Sequence, residues 1–100
     1  MGFSRYISTG VTDATAVVTC PDNTIITIIG TVVANTSGNS TTVDILAGGA
    51  NLLKDANLDK GSAIIPIGGE QKVVLVSGDS LTVNATDTVD VHVSVLEQAV

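Results

Sequence analysis

Tryptophan is missing from this sequence, and Phe3 and Tyr6 are its only rings. A core must therefore be filled by Val, Ile, Leu and Ala, and a platform for stacking sugars or bases has almost nothing to build it from. Cys20 is the sole cysteine, so an intrachain disulfide is impossible and no thiolate cage can hold a metal. Basic residues are equally scarce: Arg5, Lys54, Lys60 and Lys72 are scattered along a chain of net charge −6. Nucleic acid as a partner is excluded on that ground, because phosphate neutralisation needs clustered Lys and Arg.

Long apolar runs are also lacking. The most apolar window, IITIIGTVVA (25 to 34), is too short and too interrupted by Thr for the roughly 20 residues of a spanning helix, so no membrane partner is expected. The opening MGFSRYISTG has neither an apolar h-region nor a cleavage pattern, which argues against signal-directed export. Gly2 invites a myristoylation reading, but Tyr6 stands where that motif needs Ser or Thr. Without a secretion signal, the sequons at Asn35, Asn39 and Asn84 read as ordinary turn and surface asparagines.

Charged residues make up only 14% of the chain, against about 25% in a typical soluble domain. With mean hydropathy at +0.47, part of the surface is expected to stay apolar and to be covered by copies of the chain or by a larger partner.

What is present is abundant Val, Ile and Thr, whose branching at Cβ suits strands better than helices. One hundred residues are enough for one core and not for two. ATAVVT ends at the turn CPDN, where Pro21 fixes φ and Asp22 and Asn23 favour a reversal. TIITIIGTVVAN follows as the strongest strand. Its even positions Ile26, Ile28, Val32 and Ala34 are all apolar and its odd positions mixed, so one face is expected in the core and the other partly covered. Gly30 in mid-strand marks a bulge or a bend.

The polar turn TSGNS leads into TTVDILAG, with Thr41, Val43, Ile45 and Ala47 on one face; the connection is either a hairpin or a crossover between sheets. GGANLLKDANLDKGS is the least regular part, read as a short extended strand and a loop rather than a helical turn. SAIIPIGG gives a short strand whose Pro66 belongs at an edge or a strand end. VVLV, LTVNA and VDVHVSVL complete the set, the last with Val89, Val91, Val93 and Val95 on one face and Asp90, His92 and Ser94 on the other. About eight short strands at spacings of about ten residues predict an all-β, single-domain antiparallel β-sandwich, jelly-roll-like. Residues 13–100 form that sandwich, and residues 1–12 are an N-terminal arm or a first edge strand.

Chemistry-bearing patterns are weak. Asp90, His92 and Ser94 stand side by side on one strand face, whereas a triad needs its base between nucleophile and orienting acid. Asp55, Asn57 and Asp59 alternate like the start of a calcium loop, but no glycine follows Asn57 and no distal Glu closes the ring. The glycine pairs Gly48-Gly49 and Gly68-Gly69 precede neither Lys-Ser/Thr nor a helix, so they read as turn glycines. Asp79 after Gly78 is expected to accept backbone hydrogen bonds inside its turn. No catalytic, metal or cofactor site is predicted, and the chain is not expected to be an enzyme. Aromatics and arginine are preferred interface anchors, so Phe3, Arg5, Tyr6 and Ile7 are the candidate contact residues; the other reading has the two rings plugging the end of the sandwich.

RYISTGV, TIITIIGTVVANTS, TVDI, LLKDANL, GSAIIPIGGEQKVVLVSGDSLTV and VDVHVSVLE together resemble small virion proteins of tailed bacteriophages, over nearly the whole chain. The resemblance implies a capsid decoration or cement protein. Such a protein is a β-sandwich on the outer capsid surface, commonly a homotrimer, made in the host cytoplasm and bridging subunits of the major capsid protein. It implies no cofactor and transfers no catalytic residue. A tail- or fibre-associated module for host recognition is the alternative.

Overall fold

The structure is a computed structural model and describes residues 2–68 and 72–100. Among these residues the chain forms nine strands and no helix: β1 (Gly2–Val11), β2 (Thr15–Thr19), β3 (Thr24–Asn35), β4 (Thr41–Ala47), β5 (Ala50–Leu58), β6 (Ala63–Ile67), β7 (Val73–Leu75), β8 (Ser80–Ala85) and β9 (Val89–Ala99). The strands make two antiparallel sheets. One runs β1-β9-β3-β6, with β7 also paired to β3; the other runs β2-β8-β4-β5.

The order follows from rolling up one long two-stranded ribbon. β4 and β5 form its tip, and β3 with β6/β7, β2 with β8 and β1 with β9 are paired progressively further from the tip. Folding the ribbon over brings β9 against β3 and β8 against β4, which closes the two sheets of a jelly roll. β3 and β4 lie in different sheets, so the TSGNS segment is a crossover and not a hairpin.

Alternation in the sequence builds the core directly on β9, where Val89, Val91, Val93 and Val95 are all buried. Leu81, Val83 and Ala85 on β8 and Val43 and Ile45 on β4 face them from the other sheet. β3 departs from the expected parity. Ile26 and Ile28 are buried as the even face requires, but beyond Gly30 the buried residues are Thr31, Val33 and Asn35, while Val32 faces out. The cause is a bulge against β9: Ile28 pairs with Val95 and Gly30 with the next residue, Ser94, so Ile29 is extra and every later side chain changes sides.

The strand on the far side of β3 breaks at the same level. β6 pairs with Thr31 to Ala34 and β7 with Ile26 to Ile28, in line with each other. The ninth strand, beyond the eight expected, is β1, which makes the N-terminal segment an edge strand. Gly69, of the second glycine pair, lies outside the described residues. The GGANLLKDANL segment is more regular than its composition suggested, being strand throughout Ala50–Leu58.

Candidate docking surface

The two outer faces of the sandwich differ in chemistry. On the β2-β8-β4-β5 sheet the outward rows are mostly polar: Asp44 pairs with Asn84 and Thr42 with Asn57, while Leu46 stands between Thr82 and Asn51 and Leu52 on β5 is exposed. On the other sheet they are largely apolar. Phe3, Leu96, Thr27 and Val74 form one row across four strands. Ile7, His92 and Val32 form another, with the exposed Ile65 beyond on β6. Between them runs a row of Arg5, Ser94 and Gly30, in which only Arg5 is large. Phe3 is 80% exposed, Ile65 68%, Val74 56% and Ile7 54%.

β1 contributes to this face with its amphipathicity inverted. Its inward positions Ser4, Tyr6 and Ser8 pair with the core valines Val95, Val93 and Val91, and two of the three are serines. Its outward positions Phe3, Arg5 and Ile7 carry the bulk. A strand serving only its own core would place Phe3 and Ile7 on the other side, since each would contribute about 1.5–3 kcal/mol by burial.

The four residues singled out in the sequence thus divide. Phe3, Arg5 and Ile7 lie together on the exposed face, whereas Tyr6 is half-buried, packs against the core and donates its phenol proton to the Glu97 carboxylate. That hydrogen bond is the main cause, with burial second, of a phenol pKa pushed up to about 12. Of the two rings, then, only Tyr6 fills sandwich space. The partners of Phe3 on the face, Leu96, Val32, Ile65 and Val74, were missed by sequence reading. For Val74 a signal existed: VVLV is apolar at both parities, more than a strand with one face in the core requires.

His92 is half-buried in the apolar rows and makes no hydrogen bond to Asp90 or Ser94. Asp90 is committed elsewhere, its Oδ1 accepting from the Gly10 amide at 2.9 Å where β1 bulges. Asp55, Asn57 and Asp59 are strung along β5 and its end rather than gathered. The Asp55 amide donates to Asp44 Oδ1 at 2.6 Å, which is the first cause holding the Asp44 carboxyl below its ordinary range, and Asn57 Nδ2 donates to Asp59 at 3.0 Å. Cys20 is buried, its thiol donating to the Thr24 carbonyl at 3.1 Å, and burial raises its pKa.

Both ends of the sandwich are tied by polar turns. Asp79 closes its turn as expected, accepting from the Val76 amide at 3.1 Å while its own amide donates to the Val76 carbonyl at 2.9 Å. At the other end Asn35 is 5% exposed, so it is not the surface asparagine its sequon suggested. Its Nδ2 donates to the carbonyls of Asn39 at 2.8 Å and Leu58 at 3.0 Å. Its Oδ1 accepts from the Ser37 amide at 2.9 Å and the Ser37 hydroxyl at 2.7 Å. The uncharged TSGNS segment is thereby a fixed loop. Comparison of the chain with protein-family models, with curated proteins and with solved structures finds no match.

Proposed function

We propose that the protein is a structural adhesion module of a virion, a decoration or cement protein that docks on major capsid protein subunits. The contact runs through the outer face of the β1-β9-β3-β6 sheet, and the polar face is left to solvent. The observation that carries this reading is the inverted amphipathicity of β1, which spends Phe3 and Ile7 on the outside and serines on the inside. Arg5 within the same face supplies a hydrogen-bonding anchor for a carboxylate, and the resemblance of the strand and turn words to small phage virion proteins supplies the class of partner.

The size of the face bears on how it would be used. Four strands about 4.8 Å apart and about eight residues long at about 3.3 Å each cover roughly 500 Å². Covered on both sides, that is about 1,000 Å², the lower bound of a specific interface, so a single contact is weak and a lattice of repeated contacts is what makes it useful.

The test is to add the protein to heads stripped of their surface proteins and measure resistance to heat and to salt. A rise in resistance that is lost with Ile65→Lys, whose residue is exposed and outside the core, is expected. Particles of unchanged resistance, with the added protein seen by cryo-imaging on tails or fibres, would favour the host-recognition alternative.

A further inference from the structure

The four edges of the two sheets are not treated alike. β2 is five residues long and slips register between Ala16 and Val18. β5 slips twice and carries Lys54 and Asp55, the latter with φ of 51°. The β6/β7 edge is made of five- and three-residue pieces and contains Pro66. Short length, bulges, proline and edge charges are the means by which sheets avoid pairing with other chains. β1 has no proline, bulge or short length between Gly2 and Ser8, where seven residues pair with β9 in unbroken register, and Arg5 is its one charge. Beyond that ladder, residues 2 to 8 make no backbone hydrogen bond among the described residues, so their outward amides and carbonyls stand unpartnered.

We infer that this edge pairs antiparallel with β1 of a second copy, about a two-fold axis at Tyr6, making one sheet continuous across two molecules. One observation favours a second copy, and two constraints of register then place the axis. The strand holds a single charge, Arg5, and no carboxylate, although the chain carries a net charge of −6, so two of these edges meet without acid facing acid. Only an axis on a residue keeps the two outer faces on one side, because opposed residues then share a parity. Among such axes, one at Arg5 sets the two guanidinium groups opposite each other, and one at Ser4 shortens the paired stretch. An axis at Tyr6 places Arg5 opposite the partner copy's Ile7, Ser4 opposite its Ser8, and Phe3 near its Thr9.

Pairing also joins the two apolar faces edge to edge, which doubles the roughly 500 Å² available to a larger partner. The arrangement is an isologous pair, in place of the trimer that the resemblance implies. The pairing itself does not depend on capsid docking, since it uses the edge and not the face.

The experiment is sedimentation equilibrium of the full chain, at concentrations up to about 1 mM, where an association of about 4 kcal/mol still registers. The expected result is a reversible shift from 10.1 kDa to twice that mass. Ile7→Lys sets a lysine against Arg5 of the other copy twice per pair, and Ile7→Glu sets a carboxylate there. The dissociation constants of these two variants are expected to differ by at least about tenfold, with the glutamate tighter. Both substitutions remove the same apolar surface, so an effect of the face alone would treat them equally. Under mild oxidation a mixture of Ser4→Cys and Ser8→Cys proteins is expected to cross-link 4 to 8 in preference to 4 to 4 or 8 to 8.

A monomer at every concentration, equal weakening by Lys and Glu, or dominance of the 4-to-4 or 8-to-8 product would overturn the pairing. Ile65→Lys separates the two proposals, because it is expected to abolish capsid binding and leave self-association unchanged.

Discussion

The Tyr6 hydroxyl on β1 donates to the carboxylate of Glu97 on β9, joining the edge strand to its neighbour by a side-chain contact in addition to the backbone ladder. Ionising the phenol would set two negative charges against each other, and the proton is correspondingly held.

Tyr6 is the only tyrosine, so its titration can be followed by phenolate absorbance with no other tyrosine contributing. The midpoint is expected at about 12 in the folded protein, against an ordinary 10.0, and Glu97→Gln is expected to lower it. The sign for stability follows from linkage. A proton bound more tightly in the folded state contributes stability that is complete below pH 10.0 and is lost as pH rises towards about 12. Chemical denaturation across that interval should show the decline, and a Tyr6→Phe protein should lack this part of it.

Asn35 is a second dependency. Its amide satisfies two carbonyls and two donors in a buried position, and an alanine would leave all four without it. Asn35→Ala is expected to cost about 2–3 kcal/mol, read as a lower denaturant midpoint at unchanged slope. Asn35→Asp should also destabilise near neutral pH, because a carboxylate cannot donate to the Asn39 and Leu58 carbonyls.

Thr31 gives the opposite expectation. It is fully buried beside the Gly30 bulge, and its Oγ1 finds no hydrogen-bond partner among the described residues. Replacing the hydroxyl by a methyl group removes a desolvated polar atom at nearly constant volume. Thr31→Val is expected to stabilise by about 1 kcal/mol in the same denaturation assay.

Core and face residues should separate cleanly by two measurements. Ile28→Ala empties a site with no exposure and is expected to cost about 3 kcal/mol of stability. Ile65→Lys is expected to change stability by no more than about 0.5 kcal/mol while removing adhesion. If Ile65→Lys unfolded the protein, the outer face would be part of the fold and not a surface kept for a partner.

The all-β class and the inward set of the uninterrupted strands follow from local composition and period alone. On β9 the period of two runs from Val89 to Val95 without a break, and nothing in the tertiary structure had to choose its face. Asp79 was legible for a similar reason: its turn bonds reach only three residues back along the chain. The facing of β3 beyond Ile28 depends on long-range pairing, because the bulge at Ile29 exists in relation to β9 and one extra residue reverses every side chain after it. Which strands are edges and which sheet face is apolar were likewise set by the pairing of distant segments. Both depend on the order in which the ribbon rolls up, a matter of long-range pairing that no local period encodes. Phe3, Arg5 and Ile7 could be picked out as residue types, but their standing on the same open face as Val32, Ile65, Val74 and Leu96 comes from pairings between residues up to 93 positions apart, as with Phe3 and Leu96.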